Sequence, residues 1–210
     1  MKPNNSLVGL STGTSVPIPL DLVNEKSWPQ FRQQANSATN TWIDSIQFLP
    51  KPGEVCLVPG KGGVVDRVLI GTRESPDLWT LAHLPYRLPQ GLYELVQSED
   101  CGVHGGLALG WALGSYKFSR YRKPTRDPAQ LVVPDAKVLA DALRLAEATF
   151  LVRDLINTPA NDMGPAELVQ VGQQLLTRAE LDYLLVTRGE EGMTLFEGNS
   201  FSHIPTVAQE

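Results

Sequence analysis

Residues 130–159 read QLVVPDAKVLADALRLAEATFLVRDLINTP. Gln130–Val133 predicts a short apolar strand that Pro134 closes, and Asp135 can then cap a helix that Asn157-Thr158-Pro159 stops. Leu139, Leu143, Ala146 and Phe150 recur at i, i+4, i+7 and i+11, which predicts a buried stripe. Leu145 and Val152 adjoin that stripe, with Arg144 and Glu147 toward solvent. At 1.5 Å per residue the helix spans about 33 Å, a length suited to joining two domains. Beyond Pro159 the pattern restarts. Pro165–Ala179 reads as a helix with proline at its first position and Glu167 in its first turn, and Leu181–Thr187 as a strand. Residues 188–210 show no clear period.

Working back toward the N-terminus, strands alternate with helices. Glu54–Pro59 and Val64–Ile70 are valine-rich and flank Gly60-Lys61-Gly62-Gly63, the pattern of a β-hairpin. Ser15–Leu20 predicts an edge strand, because Pro17 and Pro19 cannot donate to a ladder. Asn24–Asn36 predicts a helix with Trp28 and Phe31 on one face and Pro29 in its first turn; Thr39–Ser45 and Asp77–His83 predict shorter ones. Gly91–Gln97 reads as a strand. In Gly105–Tyr116, Gly106, Gly110 and Gly114 recur every four residues, so one helix face lacks side chains and can lie close against a sheet. The expected class is α/β: a mixed sheet covered by helices on both faces, then a long connecting helix and an incomplete second α/β domain. The expected boundaries are 1–134 for an N-terminal α/β domain, 135–157 for the connecting helix and 158–210 for the start of the second domain. Charge supports the division, since residues 101–150 carry seven Lys/Arg against four Asp/Glu and residues 151–210 three against nine.

Composition narrows the function classes. The chain has 210 residues, 42% hydrophobic and 20% charged, with a formal net charge of −5. These values exclude a disordered tail, a collagen-like chain and a coiled coil, and they give no general attraction for phosphate backbones. Cys56 and Cys101 are too few for a disulfide framework and fit a reducing compartment. The first ten residues lack an apolar signal core, and the most apolar stretch, Val103–Gly114, is about twelve residues, too short to cross a bilayer. The expectation is a soluble cytoplasmic protein with no membrane partner.

Motifs for chemistry are few. His83, His104 and His203 lie 21 and 99 residues apart, with no HExxH or CxxC spacing. There is no GxSxG elbow, and Cys101 with His104 is the one nucleophile–base pair at short range, best read as part of a turn entering a helix. Neither catalytic nor metal-binding residues are assigned. Gly102, His104, Gly105 and Gly106 form a glycine-rich turn whose N–H groups could meet an anion at a helix start, making a phosphate-bearing ligand one alternative reading. Lys117, Arg120, Arg122, Lys123 and Arg126 are interleaved with Tyr116, Phe118 and Tyr121, so a DNA-binding accessory domain is another, although such a run also suits a solvated helix end.

The most specific string is Leu151–Leu168, LVRDLINTPANDMGPAEL. It resembles the arm and domain junction of the leucyl (cytosol) aminopeptidase family, with its RDLxNTPAN…GPAEL segment. Residues 109–121, LGWALGSYKFSRY, are similar to that family's LGxYxFxxY helix end, and Leu88–Tyr93 fits its bacterial members. The resemblance implies an N-terminal α/β domain, a connecting helix and a catalytic domain, assembled as hexamers, with two divalent metals (zinc, manganese or magnesium) activating a water that releases N-terminal residues from peptides. The motifs that carry the metals in that family, resembling VGKGxxFDxGG and NTDAEGRL, do not occur in this chain. The resemblance therefore implies a chain without its own cofactor, inactive alone, that serves assembly or access to the active site, self-associates, and meets peptide substrate only with a catalytic domain.

Overall fold

The structure is a computed structural model describing residues 8–13, 15–96, 101–179, 183–187, 193–197 and 200–205. It divides into two compact units, Met1–Arg153 and Asp154–Glu210. The first is built on six strands, β1 (Leu10–Ser11), β2 (Ile18–Val23), β3 (Val55–Pro59), β4 (Val65–Gly71), β5 (Leu92–Leu95) and β6 (Gln130–Val132), in the order β1-β6-β5-β2-β4-β3. Neighbours run parallel except β3 and β4, which form the antiparallel hairpin expected around Gly60–Gly63. Helices α1 (Trp28–Gln34), α2 (Ser37–Ser45) and α3 (Cys101–Gly114) belong to this unit, together with α4 (Ala136–Asn157) as far as Arg153.

Strand alternation sorts the core into two clusters. Leu20, Val68, Ile70, Tyr93 and Leu131 join Leu107, Trp111 and Ala112 of α3 and Leu139, Ala142 and Ala146 of α4. On the other side Val23, Cys56, Val58 and Leu69 meet Ile43 and Phe48, with Trp28 and Phe31 packed against them. Trp28 and Phe31 stack with ring centroids 5.8 Å apart, so the three-residue spacing does place them on one face. The α2 start is capped by Asn36, whose side chain accepts from the Thr39 N–H at 2.8 Å.

The strand with two prolines is not at an edge. β2 lies between β5 and β4, because Pro17 precedes it and Pro19 sits one residue before the β4 ladder opens at Leu20↔Val68. The Leu20 carbonyl accepts from Val96 N on the β5 side, so by alternation the Pro19 nitrogen faces β4, one residue before the first pair of that ladder. Asp77–His83 is likewise not a helix but a chain of turns, with Thr80 N donating to Asp77 O and Ala82 N to Trp79 O. Its backbone lies directly on α3: a Cβ on Gly110 would overlap the Leu78 carbonyl, and one on Gly114 the Ala82 carbonyl. The bare helix face therefore meets a turn rather than a sheet, and Gly106 faces open space.

α4 begins as expected, with Asp135 Oδ1 accepting from Lys137 N and Val138 N at 2.8 and 3.0 Å. Leu139, Ala142 and Ala146 are its buried residues, while Leu143 and Phe150 are half-buried and Leu145 and Val152 exposed. The buried stripe is narrower than the spacing predicts and consists of one leucine and two alanines. The helix thus packs on the first unit along most of its length.

In the second unit, α5 (Pro165–Ala179) starts with Gly164 N donating to Glu167 Oε2 at 3.0 Å, half of a capping box. β7 (Tyr183–Thr187), β8 (Met193–Glu197) and β9 (Ser200–Ile204) form an antiparallel sheet in that order. Leu181, the expected start of β7, lies outside the described residues. The segment after 188, without visible period, supplies two strands, so β7 is paired along one side rather than left alone.

The glycine contacts give a paired test. Gly110→Ala should cost about 1–3 kcal/mol through overpacking against the Leu78 carbonyl. Gly106→Ala, in open space, should be neutral or stabilising by up to about 1 kcal/mol. Denaturant unfolding followed by tryptophan fluorescence reads both, since all four tryptophans lie in the first unit; equal effects would refute the close approach.

Candidate functional site

The glycine-rich segment is placed differently from its sequence expectation. α3 starts at Cys101, so Gly102 and His104 stand in its first turn and Gly105 and Gly106 in the next, where N–H groups are used within the helix. No glycine turn at 102–106 precedes it. The side chains of Cys101 and His104 lie outside the described ones. His83 sits in the turn chain and His203 on β9. Among the described residues no three His, Cys, Asp or Glu side chains converge to hold a metal ion.

The basic run is drawn into the fold. Arg126 reaches back across the turn chain, donating through Nη1 to the Leu88 carbonyl at 2.9 Å and through Nη2 to the Tyr86 carbonyl. Lys117 Nζ lies 4.5 Å from the Tyr86 ring centroid, and the Tyr86 hydroxyl donates to the Ser115 carbonyl at 3.1 Å. The end of α3 is met by a cation from α4 instead of the run following it: Arg153 Nη1 donates to the Leu113 carbonyl at 2.8 Å and lies over Tyr116, which packs on Phe150. Arg120 lies over the Tyr121 ring, and Phe118 contacts the same ring edge-on. Two of the five cations, Lys117 and Arg126, thus hold the region around Tyr86 together.

A second polar constellation has no signal in the sequence. Asp21 on β2 and Arg67 on β4 are 46 positions apart, and parallel pairing brings them together with Nη1 at 2.9 and 3.0 Å from the two carboxylate oxygens. Burial pushes the Asp21 carboxyl above its ordinary range although the Arg67 guanidinium pulls it down.

Two measurements follow from these contacts. Arg126→Ala strips a charged donor from two carbonyls and should destabilise by about 1–3 kcal/mol, while Arg122→Ala, at an exposed position, should stay within about 0.5 kcal/mol. Asp21 carries a pH signature. A carboxyl with a raised folded pKa contributes stability that is fullest at low pH and declines as pH rises above 3.8. The stability of Asp21→Asn relative to the parent should therefore increase from about pH 3.5 to 6, and a constant difference would exclude the raised value.

With this geometry in place, comparison with known proteins is informative. A family model described as M17 aminopeptidase, N-terminal domain, matches residues 18–134, from β2 through β6. The crystal structure of a cytosol aminopeptidase from Coxiella burnetii superposes with a TM-score of 0.76 at 29% identity, covering 84% of this chain and 39% of that one. A probable cytosol aminopeptidase from Alkaliphilus metalliredigens is 24% identical over 175 residues, 70% of this chain and 34% of its own length. A protein described as Bifunctional protein HldE from Klebsiella pneumoniae (strain 342) is 36% identical over 128 residues, 26% of its length. The chain thus spans between a quarter and two fifths of these relatives. The bottromycin maturation enzyme BotP, in complex with manganese, shares the fold at 20% identity and a TM-score of 0.60. The match over more than half of the chain, on five of the six strands of the first sheet, makes this chain a member of the M17 leucyl aminopeptidase family, carrying its N-terminal domain.

Proposed function

We propose that the chain is the accessory, non-catalytic part of a metal-dependent aminopeptidase, serving assembly of the enzyme or access to its active site, and that alone it does not hydrolyse peptides. The observation that carries this reading is the family match to an N-terminal domain at 18–134, on a chain that spans between a quarter and two fifths of its relatives. The manganese in BotP supports metal dependence for complete relatives. In such a protein the catalytic metals and the general base would come from a segment outside the matched one. The N-terminal unit would contribute a packed platform, with Leu139, Ala142 and Ala146 of α4 in its core. Self-association of this chain, toward the hexamer implied for complete relatives, belongs to the same reading.

Activity and assembly test it separately. The full chain with added manganese or zinc should release no leucine from leucine amide, and turnover that a chelator abolishes in protein freed of host peptidase would overturn the inactive assignment. A chain ended after Asn157 should keep the tryptophan-reported unfolding transition of the first unit and associate less in sedimentation. Loss of that transition would show that residues 158–210 belong to the same core.

A further inference from the structure

We propose that the first unit carries a binding site for a small zwitterion, a free α-amino acid with an apolar side chain, in the cavity beside the Asp21–Arg67 pair. The cavity is about 360 Å³ and is lined by Asp21 and Arg67 with Asp66, Phe31, Asn36 and Val96 among others. That volume suits a small molecule. This site is independent of the accessory role proposed above, since all its walls come from the first unit.

The charges decide the ligand class. Arg67 meets Asp21 through Nη1 alone, so among the described residues its Nε and Nη2, the side-on edge of the guanidinium, have no protein acceptor. That edge matches a carboxylate in bidentate geometry. Asp66, exposed on β4, makes no ion pair or hydrogen bond among the described residues, and it supplies a carboxylate for an ammonium. Asn36 uses its oxygen to cap α2, which leaves its amide nitrogen as a further donor. A lone anion would meet two carboxylates against one guanidinium, and a lone cation would leave the Arg67 edge unused. A molecule with an ammonium and a carboxylate on one carbon satisfies both walls. Phe31 and Val96 then give its side chain an apolar surface. The pair is stiff enough to present this edge: the Asp21 side chain is 12% exposed, the Arg67 side chain 37%, and parallel pairing fixes both strands.

The test titrates the full chain, labelled with nitrogen-15, with L-leucine, and separately with acetate, n-butylamine and inorganic phosphate. L-Leucine should move the amide signals of Asn36, Arg67 and Val96 saturably, and each of the other three should bind at least about tenfold more weakly. Arg67→Lys, which keeps the charge and loses the fork, should weaken leucine binding by about tenfold or more. Asp66→Asn, at an exposed position, should weaken it several-fold while acetate binding stays the same or strengthens, because a like charge is removed. Should Arg67→Lys fail to fold, the comparison of leucine with its separate halves and the Asp66→Asn result decide the matter. Absence of saturable shifts with leucine, acetate or phosphate binding as tightly as leucine, or undiminished binding in Asp66→Asn would each overturn the proposal.

Discussion

The first unit depends on one close approach: the backbone of α3 against the carbonyls of the 78–82 turn chain at Gly110 and Gly114. With no Cβ at these two positions, the helix can sit low enough for Trp111 and Leu107 to fill the space over β5 and β6, and both are fully or nearly fully buried. A side chain at either position would lift the helix or push the turns outward, and the tight core packing on this side of the sheet would open into voids. The turns are held by their own short-range bonds, Thr80 N to Asp77 O, Ala82 N to Trp79 O and Leu84 N to Leu81 O, while the Leu78 and Ala82 carbonyls lie against the bare face of α3.

The same turn chain is tied from its other side. Arg126 holds the carbonyls of Tyr86 and Leu88, Ala129 N donates to the Pro85 carbonyl at 2.7 Å, and Trp111 Nε1 donates to the Ala129 carbonyl at 3.1 Å. Buried polar groups of the loop are thereby paired, which an irregular segment over a core requires. Two of the five cations of the basic run, Lys117 and Arg126, are thereby engaged with the Tyr86 ring and with internal carbonyls. A run of basic and aromatic residues is compatible with this use or with a nucleic-acid surface, and only the distance to the carbonyls separates them.

The cavity at Asp21 and Arg67 shows a different economy. The ion pair is partly removed from water, and desolvation outweighs the attraction of Arg67 in setting the Asp21 proton affinity. A half-buried pair of this kind adds little to stability. Its consequence is geometric, because it fixes the Arg67 guanidinium through Nη1 at the wall of a polar cavity that Phe31 also lines.

How much of this was legible depends on the range of the interaction involved. The hairpin of β3 and β4, the Asp135 cap of α4, the limits of α5 and the junction string at 151–168 are local: turn glycines, a capping carboxylate, a proline at the first helical position and a contiguous motif act within a few residues, so the sequence alone determined them. The family follows from such strings, and the matched N-terminal domain agrees with it. The central place of β2, the turn structure of 77–83, the alanine-lined face of α4 and the three-stranded sheet of the second unit were decided only by tertiary structure. Strand order, close backbone approach and the depth to which a helix sinks are set by partners far along the chain. Asp21 and Arg67 belong to that second group: nothing near either residue marks it, and the parallel register between β2 and β4 alone makes them a pair.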